Sequence, residues 1–192
     1  GTGFAPSPRL VVWTPALGTS DTDGDDERLI NTTATKNFLY VDAGVTGLGG
    51  PLHGAIYVFA YRKVFKLIPT GQAVSAYNRI TLRTDIGCIR HQTIVLAEDE
   101  SGQPALYWLS GRGPYRAGSN GIEFIGRDVQ DRWDLVNLAA TNVVAWGMYL
   151  PDKGQIHWYV ATDSSQNDPD ERIVFDVRLG RVIEFQNLRT VH

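Results

Sequence analysis

The chain is nearly free of sulfur, with one cysteine, Cys88, and one methionine among 192 residues. A lone cysteine excludes an internal disulfide and suits assembly in a reducing cytosol; within its apolar run Cys88 reads as a small core residue. Long apolar runs are missing as well. Nothing approaches the roughly 20 residues that cross a bilayer as a helix, so no membrane segment is expected. Excess positive charge is absent: 18 Lys and Arg face 21 Asp and Glu, for a net charge of −3. The cations are spread over Arg62, Lys63, Lys66, Arg79, Arg83 and Arg90 rather than gathered in a stripe, which argues against a tight nucleic-acid binder. The opening residues, Gly1-Thr-Gly-Phe-Ala-Pro-Ser-Pro, show no initiator Met and no basic or apolar leader, and read as a processed chain or a piece of a longer polypeptide.

Motifs for chemistry are also scarce. No G-x-S-x-G elbow exists; Ser110 and Ser119 fall in turn sequences. The run at 47–51 lacks the Lys-Ser/Thr end of a phosphate loop. His53, His91, His157 and His192 have no partner at metal-ligand spacing and no second cysteine to join them. Asp21, Asp23 and Asp25 offer hard oxygens at alternate positions, but Gly24 is misplaced for an EF-type calcium loop and Thr32 stands where its bidentate Glu belongs. No catalytic residue, cofactor or metal is expected.

What is present is a rhythm. Apolar bursts at 93–97, 105–109 and 122–125, with a lone Tyr115, alternate with turn-forming stretches at 98–104, 110–114 and 116–121. Four short strands in about 40 residues make one antiparallel blade of a β-propeller, with a meander inside a β-sandwich as the alternative. The segment 54–71 reads as a hairpin in which Ile56, Val58 and Ala60 face one way and Tyr57, Phe59 and Tyr61 the other, as in a sheet covered on both faces. The hairpin pattern recurs at 92–118 and 143–160, with a further strand pair at 172–185. Strands are also expected at 10–14, 38–42 and 80–84.

Asp128 to Leu138 places Val129, Trp133 and Val136 at helical spacing behind a potential N-cap, Asp128, so one short helix is expected there. Residues 44–54, with five glycines in eleven, read as a loop. The expected fold is therefore all-β: residues 1–50 are an arm of uncertain placement and residues 51–192 are two to three propeller blades, part of a larger ring.

From His53 onward the sequence resembles the propeller-containing tail tube or nozzle proteins that sit below the portal of tailed bacteriophages. The likeness lies in the strand pair Gly54-Ala-Ile-Tyr-Val-Phe59 and Phe65-Lys-Leu-Ile-Pro-Thr-Gly71, and in Thr84-Asp-Ile-Gly-Cys-Ile-Arg90 leading to Thr93. Leu106-Tyr-Trp-Leu-Ser-Gly-Arg-Gly-Pro-Tyr115 and the segment 122–138 complete it, while residues 1–50 carry none of it.

The resemblance implies a virion structural protein, built in the host cytoplasm. It would form a ring with copies of itself, join portal, adaptor or other tail proteins, and let genomic DNA pass without sequence-specific contact. Phe4 and Trp13 are candidate interaction residues. The acidic stretches Asp21, Asp23, Asp25, Asp26 and Glu27, and Asp163, Asp168, Asp170 and Glu171, are candidate channel or surface loops along which DNA would slide. The alternative is a propeller that binds or hydrolyses glycans through carboxylates and Trp108, Trp146 or Trp158. These tryptophans lie in apolar strands and read first as core.

Overall fold

A computed structural model describes residues 10–12, 38–40, 44–71, 77–162 and 168–188. The described strands all pair antiparallel, with short helical segments between the second and third sheets. Strands β1 (Leu10–Val12) and β2 (Phe38–Tyr40) form a two-stranded pair at the two places where the alternation predicted strands.

The rest of the described chain forms three four-stranded sheets, each a meander in strict chain order. The first contains β3 (Val45–Leu52), β4 (Ala55–Ala60), β5 (Val64–Pro69) and β6 (Tyr77–Arg83). The second contains β7 (Val95–Glu98), β8 (Pro104–Ser110), β9 (Gly113–Gly118) and β10 (Gly121–Phe124). The third contains β11 (Trp146–Leu150), β12 (Gln155–Val160), β13 (Glu171–Asp176) and β14 (Arg181–Asn187). The four apolar bursts between 93 and 125 are thus one sheet, as their spacing predicts.

The period-2 pattern of the strands decides how the sheets pack. Phe59 and Tyr57 of β4 project from one face of the first sheet and meet Leu106, Trp108, Tyr115 and Ala117 of the second. The Phe59 and Trp108 ring centroids lie 4.9 Å apart, and Trp108 stacks on Tyr115 at 6.1 Å. Such aromatic pairs contribute about 0.5–1.5 kcal/mol beyond their buried area.

The opposite face of the second sheet presents Val95, Ala97, Ala105, Tyr107 and Leu109 to Ile156, Trp158, Ile173 and Phe175 of the third. The middle sheet is therefore covered on both sides. On the far face of the first sheet, Val58, Ala60, Phe65 and Leu67 are also buried.

Two elements differ from the sequence expectation. Residues 45–52 are strand β3, paired with β4 through Gly47↔Phe59 and Gly49↔Tyr57, rather than a loop. The glycines are there because the second sheet comes so close. A Cβ on Gly47 would lie 2.6 Å from the Ile94 side chain and 3.2 Å from the His91 backbone.

The helical segment is split. A 3₁₀ turn (Arg127–Val129) runs into α1 (Gln130–Trp133), with no side-chain cap from Asp128. A second helix, α2 (Leu138–Val144), follows, with the Asn137 side chain accepting from the Ala139 and Ala140 N–H groups. This helix takes up Val143 and Val144, which the pattern had assigned to a strand, and β11 starts at Trp146. Val129, Trp133 and Val136 do face inward as predicted and seal the core between the second and third sheets.

Candidate functional site

Phe4, Trp13, Asp21, Asp23, Asp25, Asp26, Glu27 and Asp163 lie outside the described residues. The remaining acidic residues of the second stretch do not form one surface loop. Asp168 is exposed, whereas Asp170 and Glu171 are buried. The Asp170 carboxylate accepts from the Thr162 N–H at 2.8 Å and the Thr162 hydroxyl at 2.7 Å, while its own N–H donates to the Val160 carbonyl. It ties the start of β13 back to the end of β12 as a buried acceptor.

Glu171 opens β13. Its Oε1 accepts from the Asn187 side chain at 2.9 Å, and its buried Oε2 has no hydrogen-bond partner. Burial, aided by the neighbouring Asp170 charge, raises its pKa. Charged letters in a sequence read as solvent-facing; these two are internal because a loop return and a strand start need acceptors there.

The tryptophans separate sharply. Trp108 and Trp158 are fully buried, and each indole N–H donates to a backbone carbonyl at 2.9 Å, Trp108 to Gly87 and Trp158 to Thr93. Trp146 is 39% exposed. It pairs with Tyr159 across the first two strands of the third sheet, rings stacked at 4.1 Å and 12°.

The outer face of this sheet carries the most distinctive surface among the described residues. Register places Trp146, Met148, His157, Tyr159, Arg172, Val174, Glu184 and Gln186 on it, opposite the face that meets the second sheet. Met148 is 36% exposed. Arg172 donates to both Glu184 and Gln186 and forms a polar border. His157 shares a hydrogen bond with Gln155 at 3.2 Å, and burial, with help from Arg172 and Lys153, lowers its pKa. Aromatic residues, Met and Arg are the types enriched at protein interfaces, and this face carries all of them. The sequence offered Trp146 only alongside Trp108 and Trp158, because the three look alike in a string and only the pairing register shows which side each takes.

Among the described residues no group of three or more His, Cys, Asp or Glu side chains could hold a metal ion. No helix of the described residues is long and apolar enough to cross a membrane. Neither a family model nor a curated protein matches the chain.

Proposed function

We propose that the chain is a structural wedge of a ring-shaped β-propeller assembly, a subunit of a virion tail tube or nozzle that makes a wall around passing DNA. One observation carries this reading: neighbouring sheets approach through their first strands. The β3 backbone lies against β7 and β8, and β11 against β7. The glycines in these strands allow it. At Gly147 of β11 an added Cβ would stand 2.5 Å from the Trp158 ring and 3.0 Å from Val95. Four-stranded meanders drawn together along their first strands support an arrangement of blades around an axis.

The three such sheets among the described residues are fewer than the roughly four blades that closure takes. The outer face of the third sheet, with Trp146 and Met148, would then receive the next sheet from another copy of the chain, a heterologous contact of the kind that builds rings. Portal, adaptor and other tail proteins would meet the rim of the ring. A net charge of −3 suits a wall that duplex DNA passes without being held.

The test is the assembly state. Mass photometry and negative-stain micrographs of the purified protein should give a discrete oligomer with a central opening. A chain that stays monomeric at high micromolar concentration, without ring particles, overturns the reading.

The exposed, stacked Trp146 supports a second reading, a glycan-binding surface. A glycan array decides it: selective binding lost in Trp146→Ala favours that reading, and a blank array removes it.

A further inference from the structure

Sheets drawn together at one end must part at the other. Between the outer strands of the first and second sheets lies a cleft of about 300 Å³. Tyr57, Lys66, Leu82 and Arg83 of the first sheet form one side, with Ser119 and Ile122 at the β9–β10 turn on the other. The volume is at the lower end for small-molecule sites, and the lining joins apolar walls with a few convergent polar groups.

Charge gives the cleft its character. The Lys66 ammonium stands 5.8 Å from the Tyr57 ring centroid, and among the described residues no carboxylate lies within ion-pair distance of it. Arg83 is held by Asp85 through Nε at 2.8 Å and Nη2 at 2.7 Å, which fixes the guanidinium and leaves Nη1 outside the pair. Two carboxylates of the second sheet, Glu100 and Glu123, share one cation, Arg116. The cleft thus offers an ammonium outside any ion pair among the described residues, and a guanidinium held in place with one nitrogen to spare.

We propose that this cleft binds a small organic oxyanion: a carboxylate or phosphate group on a flat apolar body. The head group would take charge-assisted hydrogen bonds from Lys66 and Arg83, with the Ser119 hydroxyl as a further donor. The body would lie between Leu82 and Ile122. The site is independent of the ring reading, since neither cation lies on the outer face of the third sheet.

The test is an amide-resolved NMR titration of the full chain with three probes: phenyl phosphate, benzoate and inorganic phosphate. The expected result is saturable shifts at Gly118, Ser119, Gly121 and Ile122 with phenyl phosphate or benzoate, at Kd below roughly 1 mM. The tighter of these two assigns the head group, and either supports the site. Lys66→Met and Arg83→Gln should each weaken binding about tenfold or more, and Leu179→Ser, at an exposed turn, should leave it unchanged. Three results overturn the proposal: no saturation with any probe up to about 10 mM, unchanged affinity in Lys66→Met, or inorganic phosphate binding as tightly as phenyl phosphate.

Discussion

The indole N–H of Trp158 donates to the carbonyl of Thr93 at 2.9 Å, across a separation of 65 residues. Trp158 is the core of the third sheet, and Thr93 ends the 3₁₀ turn that begins the second. The Thr93 hydroxyl in turn donates to the Arg90 carbonyl at 2.7 Å, so one buried residue ties the turn to itself and to the next sheet. Replacing Trp158 with Phe removes the donor, leaves a buried carbonyl unpaired and opens a small void. We expect a loss of about 2–4 kcal/mol in urea unfolding, a similar loss for Trp108→Phe, and less than about 0.5 kcal/mol for Trp146→Phe.

Gly147→Ala should destabilise the protein by about 1–3 kcal/mol, because the new methyl meets the Trp158 ring and Val95 on a packed interface. Gly44→Ala is the control. Nothing lies within 4 Å of its added Cβ, and the expected change is within about 0.5 kcal/mol. Thermal unfolding of the two variants side by side reads the difference.

Two buried groups should give stability opposite dependences on pH. The Glu171 pKa is raised above its ordinary 4.5, so the folded state binds more protons than the unfolded state above that point, and stability falls as pH rises from about 4.5 through the folded value. His157 is lowered below 6.5, so the unfolded state binds more protons, and stability falls as pH drops below about 6.5 through the folded value. Urea midpoints between pH 4 and 8 check both. Glu171→Gln should flatten the decline on the alkaline side of 4.5, and His157→Gln the decline on the acid side of 6.5.

The Cys88 thiol, fully buried and with its pKa pushed up to about 12 by burial, should be inert in the native protein. A thiol-specific chromogenic reagent at pH 8 should react on the time scale of unfolding, and at once in denaturant. Fast reaction in native buffer would contradict the buried position.

Trp146→Ser combined with Met148→Ser should abolish the expected oligomer while leaving the unfolding midpoint within about 1 kcal/mol of the parent chain, since both side chains are more than a third exposed. Mass photometry and a urea curve on the same preparation give the two readings.

The parts of the fold legible in the sequence are those whose reason is local. The hairpin at β4 and β5 shows in alternation, and so does the four-strand rhythm of the second sheet, because period 2 follows from the strand itself. Strand β3 was not legible. Gly47 and Gly49 carry no β signal, and their reason is the nearness of Ile94 and Leu106 more than 40 residues on. The start of α2 was announced by Asn137, an N-cap residue passed over because Val143 and Val144 look like strand. Of the candidate site, the acidic stretch was visible but its direction was not. Whether Asp170 and Glu171 face water depends on Thr162 and Asn187, which supply their donors.

The Trp158–Thr93 bond also sets an order of events during synthesis. Sheets that approach their neighbours in sequence can form as the chain leaves the ribosome, about 5–20 residues per second. The second sheet is complete at Phe124, yet its Tyr107 and Leu109 face is covered in stages, first by Val129, Trp133 and Val136 and last by Trp158 and Phe175. For those seconds the nascent chain carries a half-covered aromatic surface. The stretch from Val95 to Leu109 is therefore where a stalled or truncated chain is expected to begin to aggregate.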